Sequence, residues 1–170
     1  MSDALTRAEP ISPEPFAAPG VTITLAPPKA RFSLRARDAK AFERLLGHKL
    51  PAKIGATEGE IACLGPDEWL LRTTAGTAIP RGESLPLAVT EISERAICLV
   101  VEGPRAAEVL MAGCSLDLDR FDTGRATRTI FETVEIVLLR SGDTRFEVEV
   151  WRSFAPWLHL ALTTAAAQLR

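Results

Sequence analysis

The feature that most restricts the fold of this chain is a short pattern that occurs twice. Arg31-Phe32-Ser33-Leu34-Arg35-Ala36-Arg37 alternates polar and apolar residues, as a half-buried strand does. Asp38 follows as a helix N-cap; Phe42, Leu45 and Leu46 fall on one helical face, and Gly47 can end the helix in a left-handed turn. The same order returns later. Ala96 to Glu102 reads as a strand apolar on both faces, Gly103 as a cap and Pro104 as the first helical residue. Ala106, Val109 and Leu110 form the inward stripe and Gly113 closes it. Strand, cap, short helix and glycine, each repeated once, predict an α+β fold of two similar βα-containing halves with mostly antiparallel sheets.

The rest of the chain fits that plan. Glu60 to Leu64 and Glu68 to Thr73 flank Gly65-Pro66-Asp67 and read as a hairpin. Residues 74 to 86 hold Gly76, Pro80, Gly82 and Pro86 and read as a loop, and Leu87 to Ile92 as another strand. Arg125 to Phe131, Val134 to Arg140 and Arg145 to Trp151 form a meander, with Gly142 and Asp143 turning the last pair. In its last strand Phe146, Val148 and Val150 share the core face, while Arg145, Glu147 and Glu149 face water or a partner. A helix closes the chain, with Ser153 as N-cap, Pro156 in its first turn, Leu158, Leu162, Ala165 and Leu169 at helical spacing, and Arg170 at its negative end. Six of the twelve prolines lie before residue 29. Residues 1–29 are therefore expected to be a flexible tail, and 30–170 a domain of two pseudo-repeats, about 30–86 and 87–170.

Composition excludes several functions. A formal net charge of -2 gives no basic footprint for nucleic acid. No apolar run is long enough to span a bilayer, and the acidic start Met1-Ser2-Asp3 does not resemble a secretory leader. Cys63, Cys98 and Cys114 are an odd, scattered set, which points to buried free thiols and a cytoplasmic setting. There is no tyrosine, and the two histidines, His48 and His159, are far apart: His48 reads as a helix-end residue, His159 as a polar helix residue. Ser153 and His159 fall on different helix faces, so they make no nucleophile–base pair. No CxxC, HExxH, GxGxxG or GxxxxGK[ST] pattern occurs. The expectation is no catalytic residue, no metal site and no cofactor bound by this chain.

Three clusters stand out as candidate partner contacts. Trp69 follows an acidic turn directly, Arg125 and Arg128 alternate with threonines, and Trp151, Arg152, Phe154 and Trp157 crowd seven residues. Tryptophan, phenylalanine and arginine are what interface centres prefer. Each cluster has a plainer reading as well: a core Trp69, a solvated strand face, and an aromatic plug under the last helix.

The same stretches carry a resemblance. Leu64-Gly65-Pro66-Asp67-Glu68-Trp69-Leu70-Leu71 resembles the LGPDEWLL segment of the sarcosine oxidase gamma subunit family. In register with it come Ser93-Glu94-Arg95, Glu102-Gly103-Pro104, Gly113-Cys114-Ser115-Leu116-Asp117-Leu118, the Phe121, Gly124, Arg128 and Thr129 positions, and Arg152-Ser153-Phe154-Ala155. The resemblance covers roughly residues 30 to 169. It implies a fold like the folate-binding domain of aminomethyltransferases. It also implies a non-catalytic assembly role beside alpha, beta and delta subunits that oxidise sarcosine to glycine, with hydrogen peroxide and formaldehyde or methylene-tetrahydrofolate as further products. FAD, FMN, NAD, zinc and tetrahydrofolate are then expected on those partner subunits. The alternative is a folate-binding or aminomethyltransferase-like protein acting alone, with Asp117 or Asp119 as the carboxylate for a pterin.

Overall fold

The computed structural model describes residues 8–47, 49–82 and 84–169. The expectations for Met1-Ser2-Asp3, His48 and Arg170 fall outside them. In chain order the strands and helices are β1 (Phe16–Ala18), β2 (Val21–Leu25), β3 (Lys29–Ala36), α1 (Ala39–Leu46), β4 (Thr57–Glu58), β5 (Ile61–Gly65), β6 (Glu68–Thr74), β7 (Leu87–Glu91), β8 (Ala96–Glu102), α2 (Ala106–Met111), β9 (Ala126–Phe131), β10 (Val134–Gly142), β11 (Arg145–Trp151) and α3 (Ala155–Gln168). A single 3-10 turn, Leu118–Arg120, precedes β9.

The strands form two sheets. One has six strands in the order β1-β2-β8-β11-β10-β9, the other five in the order β4-β5-β6-β3-β7. Every pairing is antiparallel. Helices α2 and α3 cover one face of the six-stranded sheet, burying Val109, Leu110, Leu158 and Leu162 against Leu99, Leu138, Phe146 and Val148. Helix α1 covers the five-stranded sheet, with Phe42 seated against Phe32, Leu34, Ile61 and Trp69. The layers therefore run helix, sheet, sheet, helix, with a separate apolar cluster under each helical layer and only a small one, Ala62, Ala126 and Leu139, shared between the sheets.

Local chemistry explains much of this. The Asp38 carboxylate accepts the Lys40 N–H at 3.0 Å and starts α1, and Gly47 at φ 76° ends it. The hairpin of β5 and β6 turns on Pro66-Asp67, with a bulge between Cys63 and Gly65. Strand β8 is buried from Ala96 to Val101, as its apolar sequence requires.

Several expectations are corrected. The N-terminal segment is not a tail throughout, because residues 16–25 are paired strands. The prolines sit at strand ends and connections, at Pro15, Pro19, Pro27 and Pro28. The β-branched run Val21-Thr22-Ile23-Thr24 between them lies against β8. The halves on either side of 86/87 are not separate sheets, since β7 completes the five-stranded sheet by pairing with β3, while β2 joins the six-stranded sheet. The two pseudo-repeats thus exchange their leading strands: β2 precedes β3 in sequence but pairs with β8, and β7 precedes β8 but pairs with β3.

The other corrections are local. Helix α2 starts at Ala106 after Arg105 and ends before Ala112, and Phe154 rather than Ser153 precedes α3, with no side-chain cap at either start. Gly103 serves the packing of a turn instead of capping a helix. At φ 128° a Cβ there would lie 2.3 Å from the Gly20 carbonyl oxygen, so glycine lets the β1–β2 turn pack closely. The charged face of β11 does not meet water throughout, since Glu149 is buried against the other sheet.

Candidate interface and intersheet cavity

The facing surfaces of the two sheets carry charge. Alternation along β3 places Arg31, Ser33 and Arg35 on its inner side, and the same period along β11 places Glu147 and Glu149 opposite. Arg31 and Glu149, 3% and 4% exposed, form a side-on pair: Arg31 Nε donates to Oε2 at 2.6 Å and Nη2 to Oε1 at 3.3 Å. Arg72 Nη1 of β6 donates to Glu147 at 2.5 Å and to Glu149 at 3.4 Å. At the other end, Arg128 of β9 grips Glu68 of β6 through both Nη atoms, at 3.0 and 2.6 Å, and Arg35 approaches the same carboxylate at 3.3 Å. Desolvation alone makes such charges expensive, so their mutual pairing holds the two sheets in one register.

The ionisation of these groups follows from the contacts. Hydrogen bonds from Arg128 hold Glu68 below the usual carboxylate range, against the opposing effect of burial. Burial pushes Glu147 upward, but the charge and hydrogen bond of Arg72 outweigh it and leave the group below its ordinary value. The Cys98 thiol, on the inner side of β8, is driven far upward by burial and then by the nearby Glu149 charge. All three cysteines are free and buried.

Between the sheets lies a cavity of about 150 Å³. Its wall combines Arg31, Glu149, Glu68 and Arg128 with Leu64, Trp69, Leu70, Ile136 and Val150. Four exposed members of the lining, Arg95, Arg128, Glu135 and Trp151, mark its mouth. Outside that mouth is an aromatic ledge. Trp151 stacks on Phe154 with ring centroids 6.2 Å apart, and the Arg95 guanidinium lies 3.8 Å above the Trp151 ring. Trp151, Phe154, Trp157 and Leu160 are 42%, 45%, 38% and 65% exposed. The outward side of α3 continues the ledge, because the helix carries no charged residue from Ala155 to Gln168. A surface helix ordinarily turns charged residues to water. A second, open groove runs beside it, between Trp157, Leu160, Ala161 and Thr164 of α3 and Phe131 and Ala112.

The residues singled out from sequence separate into two groups. Trp69 is 3% exposed, with its ring edge-on to Phe42 and its Nε1 donating to the Pro51 carbonyl at 2.8 Å; a place on the outer surface is excluded by this packing. Arg125 is half-buried, its guanidinium lying where Gly55 has no side chain. Arg128 is turned to Glu68. Arg152 reaches the N-terminal segment, donating to the Ala8 carbonyl and to Glu9. Trp151, Phe154 and Trp157 are the ones displayed together. His159 is partly buried in α3, and desolvation lowers its pKa. The Asp117 carboxylate caps the 3-10 turn by accepting the Asp119 N–H, and neither aspartate lines the cavity. Sequence reading missed Arg95, Leu160 and the Arg31–Glu149–Arg72–Glu147 seam. The signal for the seam was present as opposite charges at same-face positions of two strands, and that for Leu160 as the uncharged run after Arg152.

Among the described residues no helix is long and apolar enough to cross a membrane. The chain matches the family model described as "Sarcosine oxidase, gamma subunit family" over residues 35–168. It is 30% identical over 144 residues to the sarcosine oxidase subunit gamma of Corynebacterium sp. strain U-96, covering 75% of this chain and 70% of that one. It is 31% identical over 121 residues to the subunit gamma of an Arthrobacter species, covering 64% of this chain and 59% of that one. The solved heterotetrameric sarcosine oxidase from Corynebacterium sp. U-96, in complex with pyrrole 2-carboxylate, contains a chain that superposes with a TM-score of 0.80 at 28% identity, over 87% of this chain and 84% of that one. The glycine cleavage system aminomethyltransferase T of Bartonella henselae shares the fold, with a TM-score of 0.63 at 17% identity over 84% of this chain and 45% of that one. The family match over residues 35–168 and the superposition on a chain of a solved sarcosine oxidase lead to one conclusion: this protein belongs to the sarcosine oxidase gamma subunit family.

Proposed function

We propose that the chain is a structural, non-catalytic subunit of a heterotetrameric sarcosine oxidase. In this reading it joins alpha, beta and delta subunits that carry FAD, FMN, NAD, zinc and tetrahydrofolate in the cytoplasm and oxidise the N-methyl group of sarcosine in its breakdown. The observation that carries the reading is the ledge of Trp151, Phe154, Trp157 and Leu160 on an uncharged helix, an apolar surface of the kind that larger subunits cover. The pairing of the buried carboxylates with guanidinium groups supports an architectural use of the charged residues. An affinity-tagged chain expressed in its own host should retain larger subunits with flavin absorbance and sarcosine-dependent peroxide production. The variant Phe154→Ser/Trp157→Ser should lose most of that complex while melting within a few degrees of the parent. Recovery of the free chain alone from a lysate rich in the larger subunits would overturn the proposal.

A further inference from the structure

We infer that the intersheet cavity is an anchor socket that receives one uncharged, single-ring aromatic side chain from a larger subunit. The inference rests on the subunit reading above and adds the chemistry of one contact to it. Size comes first. A cavity of about 150 Å³ matches one benzene-sized ring and is too small for a fused ring system with a chain attached.

Charge comes next. The carboxylates in the wall are already matched, Glu149 by Arg31 and Glu68 by Arg128. The remaining lining cation, Arg95, lies over the Trp151 ring at the mouth, so a charged occupant deeper in would have to break one of these pairs or lie buried without a counterion, and the favoured occupant is neutral. The Ser33 hydroxyl and the guanidinium and carboxylate edges offer hydrogen bonds to a ring substituent such as a phenol hydroxyl. Trp151 supplies a ring surface, and Arg95 pins it at the mouth.

The source of the ring follows from continuity. Trp151 lines the cavity and also stacks on Phe154 in the exposed ledge, so whatever covers the ledge lies over the mouth. A side chain projecting from that covering surface enters the socket as the partner docks.

Filling the socket without altering the ledge tests this. Ser33→Phe and Leu64→Phe, at two different lining positions, should each weaken association of the full chain with the remaining subunits tenfold or more, with melting temperatures close to the parent's. If one fails to fold, the other carries the test. On the free chain, p-cresol should change tryptophan fluorescence saturably, and the filled variants should lose that response. 4-Methylbenzoate and 4-methylbenzylamine should bind at least tenfold more weakly. Parent-like association of a folded, filled variant would overturn the socket and leave the subunit reading standing. A parent chain that binds no larger subunit would remove both. Equal binding of the charged analogues would overturn the assignment of a neutral occupant.

Discussion

Removing Glu149 tests whether the two sheets are clamped by charge. In Glu149→Leu the Arg31 guanidinium, 3% exposed, keeps only the Lys29 carbonyl as a described hydrogen-bond partner, through Nη1 at 2.9 Å. Arg72 loses a contact of 3.4 Å but retains Glu147 at 2.5 Å, so the damage centres on Arg31. Stranding one member of a buried pair costs about 3–5 kcal/mol. For a chain of 170 residues each kcal/mol moves the melting temperature by about 2–4 °C, so a fall of roughly 6–20 °C is expected. Arg31→Met on its own strands Glu149 less completely, because Arg72 still reaches it. The double variant Arg31→Met/Glu149→Leu replaces the pair with apolar side chains of similar size and should recover most of the loss. Urea unfolding followed by tryptophan fluorescence and circular dichroism gives the four corners of the cycle. A coupling of at least about 2 kcal/mol is expected. A Glu149→Leu variant melting within 2 °C of the parent, by the ~2–4 °C per kcal/mol scale, or singles that simply add, would refute the clamp.

Other consequences are open to direct measurement. Glu68 and Glu147 both have folded pKa values below their unfolded ones, so their contribution is complete above the unfolded value and is lost as pH falls through the folded values. Stability should decline from about pH 4.5 downward, with a shallower decline in Glu68→Gln, as read by thermal melts across pH. Gly103→Ala places a Cβ 2.3 Å from the Gly20 carbonyl at φ 128° and should cost about 2–6 kcal/mol; Gly47→Ala, with open space around it, should cost about 1 kcal/mol. Cys63, Cys98 and Cys114 should react with a thiol reagent only after denaturant is added, and rapid labelling of any one in the native chain would contradict their burial.

Much of the fold was readable because its local signals are self-sufficient. Asp38 and Gly47 bracket α1 by backbone chemistry alone, Pro66-Asp67 sets a hairpin whatever surrounds it, and the apolar run of β8 has nowhere to lie but inside. Pairing between distant segments carries no such local mark. Nothing in Val21-Thr22-Ile23-Thr24 says that its neighbour is β8, and prolines around it masked the strand pattern. The candidate site was half legible for a related reason. Glu149 and Arg31 look like solvated residues until the opposite sheet is in place, and then each is the reason the other is buried. Trp69 is apolar enough for either fate, and only the position of the Pro51 carbonyl decides it.

The exchange of β2 and β7 ties each half of the chain to the other. Two separate copies of one strand–helix–hairpin unit, each lending its first strand to the other, would form a twofold dimer with this arrangement. Joining the copies through the segment around Ser84 to Pro86 turns that dimer into one chain and its mutual loan into an internal knot of obligations. Neither half can then be expressed, evolved or unfolded as a closed module, because each would leave with an edge that belongs to the other. A nick in that connection should leave the two fragments clasped, and refolding either without the other should fail.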